Sequence, residues 1–285
     1  MIALRSLTAG WGARIGAYGR LQKQRVEVPA AVYAIRYAHR EQARRAQSFY
    51  GGDPHDGPMP MSYYTWLIAD AQSNVVVDTG FSAETARKRP GRNLLVDQVG
   101  ALRQLGVKAE DVRDVVLTHL HFDHAGCLQS FPSARFWVQE SEIAFWTGRF
   151  AARGGFAHSV EPEDIVSAVR LNFARRLVFV DGDAEVGPGV SVHLVGGHSA
   201  GLQVVRVQTQ SGALVLAADA AHYYENLDQD RPFATLHSLE GMYSAVDRVR
   251  ALAGPDGVIV PGHDPLVMER FPLVPKLGGI AVRLA

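Results

Sequence analysis

Apolar residues along this chain recur at two spacings. Short runs rich in Val, Ile, Tyr and Trp, bounded by Gly, Pro, Asn or Asp, mark strands, and apolar positions three to four apart mark helices. VPAAVYAIRYA (28–38) reads as a first strand, and YYTWLIA (63–69) and VVVDTG (75–80) read as a hairpin about the turn DAQSN (70–74). Between them, residues 39–62 are first charged and then rich in Gly and Pro, which predicts a long loop with one helical turn. Further strands are predicted at VRDVVLTH (112–119), ARFWVQ (134–139), RLVFVDGD (176–183), VSVHLVGGH (190–198), LQVVRVQT (202–209), ALVLAADA (213–220) and GVIVPGH (257–263). Helical spacing covers NLLVDQVGALRQLG (93–106), closing at Gly106, and SLEGMYSAVDRVRALAG (238–254). Residues 140–176 read as a helical insertion, packed on a sheet or folded over a site as a lid. Strands and helices alternate in two similar halves, which predicts two sheets packed face to face with helices outside. The expectation is a single domain over 1–285 with an N-terminal arm at 1–27.

Composition narrows the functional classes. Basic and acidic side chains balance at 29 each, so no global field gathers nucleic acid or an anionic membrane. No run approaches the ~20 apolar residues of a membrane span, and the N-terminal segment, broken by Arg5 and Arg14, has no continuous signal-peptide core. A cytoplasmic protein acting on a small molecule is the expectation, with a homodimer left open. Cys127 is the only cysteine, which excludes an internal disulfide and thiolate zinc sites. With no activating base beside it in sequence, it reads as a structural thiol.

Any metal must therefore be held by imidazole and carboxylate, and VVLTHLHFDHAGCL (115–128) crowds four such side chains together. In extended backbone His119 and His121 point the same way and can share one ion, while Asp123 and His124, at a turn into a helix, can face a neighbouring point. Three more candidates end predicted strands: His198, Asp219 and His263. Each alone reads as a loop or cap residue. Together they make seven ligand-type residues on five segments, enough for two ions with positions open to water.

The ordered set VVVDTG, THLHFDHAG, GHS, ADA and PGHD resembles the metallo-β-lactamase superfamily, over most of the chain. The resemblance implies an α+β fold, an αββα four-layer sandwich, with a dinuclear centre at one edge. It implies that His119, His121 and His198 bind one ion, that Asp123, His124 and His263 bind the other, and that Asp219 bridges them. Asp78 would orient a ligand histidine. Within the superfamily the wording HLHFDHAG and the EN pair at Glu225 and Asn226 look most like the N-acyl-homoserine lactonases. Those enzymes carry Tyr three residues after the bridging Asp, where this chain has His222 followed by Tyr223, and the loop GGDPHDGPMP (51–60) also departs from them.

The expected chemistry is opening of a lactone ring by a hydroxide shared between two divalent ions, zinc first, with iron, manganese or cobalt also suited to His and Asp ligands. Asp123 would shuttle the proton, and His222, or Tyr223 at a one-residue shift, would donate to the substrate oxygen. Thioester, phosphodiester or other ester hydrolysis on the same scaffold, or an iron-dependent sulfur dioxygenase, are the alternatives. The loop 51–61 reads equally as a wall of the site or as a surface turn.

Overall fold

The computed structural model describes residues 31–69 and 74–285. The arm expected over 1–27, the first residues of the first expected strand and most of the expected turn at 70–74 lie outside the described residues. In chain order the strands are β1 (Ala31–Arg40), β2 (Met61–Ala69), β3 (Asn74–Val77), β4 (Asn93–Leu94), β5 (Asp114–Val116), β6 (Arg135–Gln139) and β7 (Leu177–Val180). They continue as β8 (Asp183–Gly187), β9 (Val190–Leu194), β10 (Gln203–Thr209), β11 (Gly212–Ala218), β12 (Val258–Pro261) and β13 (Ala281–Arg283). The helices are α1 (Ala83–Lys88), α2 (Gln98–Gln104), α3 (Phe122–Ala125), α4 (Glu140–Trp146), α5 (Gly154–Ala157), α6 (Pro162–Phe173), α7 (Tyr224–Asp228), α8 (Leu239–Ala253) and α9 (Val267–Arg270).

One sheet has the order β13-β1-β2-β3-β5-β6-β7, with β4 paired to β1, and the other has the order β12-β11-β10-β9-β8. Alternation along each strand sorts side chains into layers. Val75, Val77 and Val116 of the first sheet meet Val205, Val207, Leu214 and Leu216 of the second in a shared inner core. The intervening Val76, with Val115 and Phe136, faces outward onto Ala101 and Leu102 of α2 and Ala168 and Leu171 of α6. On the opposite flank Val204, Val215 and Ala217 pack against Ala245, Val249 and Ala253 of α8. This is the expected αββα sandwich: an α+β fold of two mixed sheets with helices outside.

Several boundaries differ from the expectation. β1 runs through Arg40 and β2 starts at Met61, so the connection is shorter than 39–62, and its helical turn is a 3-10 turn at Arg45–Gln47. The helix expected over 93–106 is α2 alone: the Asp97 side chain accepts from Gly100 N at 2.8 Å and caps it, and Asn93–Leu94 pair with β1 instead. β8 and β13 are additional to the expected strands, being short elements at sheet edges that carry little apolar alternation. Among the described residues no helix is long and apolar enough to cross a membrane.

The topology decides where function can sit. β3, β5 and β6 are parallel to one another, as are β11 and β12, so the C-terminal ends of each set open onto one side. Asp78 follows β3, His119 follows β5, Asp219 follows β11 and His263 follows β12.

Candidate metal centre

The strand ends bring seven side chains together. His119, His121, His198 and Asp219 offer ligand atoms within 4.8 Å of one another, as do Asp123, His124 and His263, and all seven are buried. Asp219 stands between the groups: Oδ2 lies 3.1 Å from His198 Nε2, and Oδ1 lies 3.1 Å from His263 Nε2 and 3.3 Å from His124 Nε2. The backbone is held unusually here. Asp78 has φ +60° and Ala218, just before Asp219, has φ +43°, conformations that cost energy outside glycine. Gly262 makes the approach of β12 to β11 feasible, since a Cβ there would stand 2.6 Å from the Ala218 carbonyl oxygen. Gly197, at φ +85°, lets the His198 loop touch the backbone of Gly241 in α8, where a Cβ would come within 2.7 Å.

Three of the histidines are aimed by a second contact. His124 Nδ1 lies 2.7 Å from Asp78 Oδ2, His198 Nδ1 2.8 Å from the Thr235 carbonyl and His263 Nδ1 2.8 Å from the Ser62 carbonyl. These acceptors place the hydrogen on Nδ1 and leave Nε2 free toward the cluster. Asp78 is itself fixed, accepting from Thr118 N and Thr118 Oγ1, both at 2.8 Å. Glu142, which no sequence motif marks, ties the two ligand loops together. Its carboxylate accepts from Leu120 N and Trp146 Nε1 on one oxygen and from Ser199 Oγ and Gly201 N on the other.

Electrostatics suit cations. Burial, reinforced by neighbouring imidazoles, holds His119 and His121 well below the ordinary histidine pKa, so both are neutral, the form that binds metal. Burial pulls His124 and His263 the same way, but for both Asp219 and Asp123, joined at His124 by Asp78, prevail and raise them. Burial would raise Asp219, yet the imidazoles around it keep it well below the usual carboxylate range and ionised. The donor set fits divalent ions on a further ground: His119 Nε2, His124 Nε2 and Asp219 Oδ1 are buried without a hydrogen-bond partner. Orphaned polar atoms of this kind are costly unless something ligates them. The cluster is a His/Asp site suited to divalent metal ions.

The two donor candidates part company. His222 reaches the cluster: Nε2 is 3.1 Å from Asp219 Oδ2, and the ring lies flat on Phe233, 3.5 Å between centroids. Burial pushes its pKa down to about 3, against the pull of Asp219, so it is a neutral imidazole. Tyr223 points elsewhere, contrary to the expectation that it could take that place. Its hydroxyl reaches toward the Met59 carbonyl, and its ring sits in an apolar cluster with Phe49, Tyr63 and Phe233, because the chain turns into α7 directly after it. Glu225 and Asn226 also act away from the cluster. Glu225 pairs with Arg45 at 2.6 Å, and Asn226 holds Tyr223 N and the Arg231 carbonyl. Arg45 and Arg231 both also grip Asp53, which pins the loop after β1 to α7. His55 is exposed on that loop, and Cys127 is a largely buried thiol that burial pushes up to about 12.

A cleft of about 220 Å³ opens over the cluster, with Tyr63, Phe122 and Phe233 as its apolar walls and Arg40, Arg89 and Arg92 among its polar ones. Of the loop after β1, Gln47 lines it. Trp146 of α4 meets His121 edge-on at 5.6 Å, and His158 and Ser159, between α5 and α6, line the mouth.

The chain is similar in sequence and in fold to known proteins. The N-acyl homoserine lactonase AiiB of Agrobacterium fabrum is 33% identical over 224 residues, covering 72% of this chain and 80% of that relative. The N-acyl homoserine lactonase of Bacillus cereus is 31% identical over 168 residues, which span 58% of this chain and only 61% of that relative's length. A quorum-quenching N-acyl homoserine lactone lactonase superposes with a TM-score of 0.74 at 23% identity, over 88% of this chain and 99% of that one, a likeness of fold. The sequence profile of the metallo-beta-lactamase superfamily matches residues 59–263, a stretch that holds all seven clustered side chains, and the chain belongs to that superfamily.

Proposed function

We propose that this protein is a dinuclear metal-dependent hydrolase that opens lactone rings, with N-acyl homoserine lactones, named for its relatives, as the first class to assay. The observation that carries the reading is the convergence of seven buried His and Asp side chains, three of whose ligand atoms have no hydrogen-bond partner. His119, His121 and His198 would hold one ion, Asp123, His124 and His263 the other, and Asp219 both. Zinc is the first choice, and iron, manganese and cobalt suit the same ligands. When bound, such ions supply Lewis acidity, lowering the pKa of water and polarising a carbonyl oxygen.

The chain's own groups do the rest. Asp123 lines the cleft with its carboxylate 3.7 Å from His263 Nε2, placed to take a proton from the attacking water at Oδ2 and return it to the ring oxygen as the C–O bond breaks. His222, held neutral and flat against Phe233, has its Nε2 3.1 Å from Asp219 Oδ2, and with that carboxylate given over to an ion its hydrogen would be the donor to the substrate oxygen. Asp78, Thr235 and Ser62 keep three imidazoles in the tautomer that faces the cluster. The test is elemental analysis together with a panel of lactones, thioesters and phosphodiesters. The expected result is about two ions per chain, lactone opening ahead of the other classes, and a kcat/KM lowered at least ~100-fold in Asp219→Asn. Less than half an ion per chain after adding zinc or manganese, or no lactone opened, overturns the reading.

A further inference from the structure

The wall of the metal cleft carries two arginines, Arg40 and Arg92, besides Arg89. Antiparallel pairing of β1 with β4 sets Ala38 opposite Leu94 and His39 opposite Asn93, and Arg40 and Arg92 are the next residues on either side of that short ladder. Their neighbour Arg89 is spent on Glu161 at 2.8 Å and on the carbonyls of His158 and Val160. Among the described residues no carboxylate pairs with Arg40 or Arg92. Arg40 donates only to Gln47 at 3.2 Å, while Arg92 leans toward the Phe122 ring at 5.4 Å and donates to the Pro90 carbonyl at 3.4 Å. The Arg92 Nε is buried with no acceptor.

Both guanidinium groups line the same cleft as Asp123, Asp219 and His263. Tyr63 joins them to the cluster. Its ring meets His263 edge-on at 5.3 Å, and its hydroxyl lies in the fields of Asp123, Arg92 and Arg40. The two aspartates of the cleft belong to the cluster, so no acid remains to balance the arginines. Two guanidinium groups beside a centre that takes divalent cations repel it, unless an anion comes between them. In a cleft partly walled by Tyr63, Phe122 and Phe233 that field acts on whatever enters. The cleft over the cluster, about 220 Å³, has room for a lactone ring with a small substituent beside the arginines.

We infer that Arg40 and Arg92, with the Tyr63 hydroxyl, form an oxyanion-binding subsite, and that the preferred substrate is a compact lactone carrying a carboxylate beside the ring. Guanidinium groups bind carboxylate and phosphate through paired charge-assisted hydrogen bonds, so a phosphate in that place shares the chemistry. The inference rests on the hydrolase reading and narrows its substrate.

The experiment compares kcat/KM of the metal-loaded protein for γ-butyrolactone, for 5-oxotetrahydrofuran-2-carboxylate and for a phosphomethyl analogue of the same ring. The expected result is a preference of at least tenfold for an anionic ring, with the carboxylate ahead of the phosphate. That preference should fall below threefold in Arg40→Gln/Arg92→Gln, a ratio that general damage to the fold does not move. A preference unchanged in the double variant, or a neutral ring favoured by the wild type, overturns the subsite. A phosphate ring favoured over the carboxylate overturns the carboxylate assignment. If no ring is opened, the hydrolase reading fails and the subsite is read by calorimetric binding of succinate to the metal-loaded protein. A Kd at least tenfold weaker in the double variant supports the subsite, and an equal Kd overturns it.

Discussion

Asp78→Asn changes one oxygen for one nitrogen, and the surrounding hydrogen bonds dictate the consequence for the neighbouring histidine. Asp78 is fully buried, with Oδ1 accepting from Thr118 N at 2.8 Å and Oδ2 facing His124 Nδ1 at 2.7 Å. The Thr118 N–H is fixed by the backbone, so the amide oxygen of Asn must stay on it. Turning the amide over would oppose buried donors at a cost of about 1–3 kcal/mol. The NH2 group then faces His124 Nδ1, which has to accept. The imidazole hydrogen moves to Nε2, the atom 3.3 Å from Asp219 Oδ1, and that nitrogen can no longer ligate an ion. Loss of an outer partner of a ligand histidine typically costs 10–100-fold in metal affinity, about 1.4–2.7 kcal/mol. The loss should fall mainly on one ion, because His121 and His198 do not contact Asp78 through their ring nitrogens and His119 reaches it only by way of the Thr118 hydroxyl. Titrating chelator-stripped protein with zinc against a chromophoric competitor resolves the two affinities, and circular dichroism checks the fold. Wild-type affinity at both sites, or equal weakening of both in a folded protein, refutes the reasoning.

Other substitutions draw on the same contacts. His222→Phe keeps the stacking on Phe233 but removes the Nε2 donor, so kcat on the best lactone should fall on the order of 10²–10³-fold with metal content unchanged; near-normal kcat shows that the donor is dispensable. Glu142→Ala strands four buried donors, at Leu120, Trp146, Ser199 and Gly201, and should lower unfolding free energy by about 3–5 kcal/mol in urea titration. Burial, with Glu161 nearby, pushes Asp164 up to about 7, above its unfolded value. The folded state therefore holds the extra proton, and stability falls as pH rises from about 4 to about 7. Asp164→Asn should stabilise the protein at pH 8 by about 1 kcal/mol, a figure discounted for partial exposure, and leave it unchanged at pH 4; equal effects at both pH values contradict the sign.

The residues that would do the metal chemistry are also the ones local sequence exposes best. His119, His121, Asp123 and His124 stand within one short segment, and His198, Asp219 and His263 each close an apolar run, so residue type and position along the chain mark all seven. The sandwich is legible for a related reason: the alternation of Val76 against Val75 and Val77, or of Val204 against Val205, records which face of each sheet meets which layer. What escapes local reading is everything that depends on a partner far along the chain. Of the edge strands, β8 buries too little and β13, at three residues, is too short to show a pattern, and Asn93–Leu94 become a strand only because β1 stands beside them. Glu142 reads as an ordinary helical acid until folding surrounds it with donors from Leu120 and Gly201. His222 and Tyr223 are adjacent in sequence, yet the turn into α7 sends one ring into the cluster and the other into an apolar pack. Arg40 and Arg92 are two more charges in a balanced chain, and only folding brings both into the wall of one cleft. Chemistry carried by residue identity was determined by sequence alone, because a ligand atom is intrinsic to its side chain. Orientation, tautomer and local field were decided by tertiary structure, because each is a property of the groups that folding brings near.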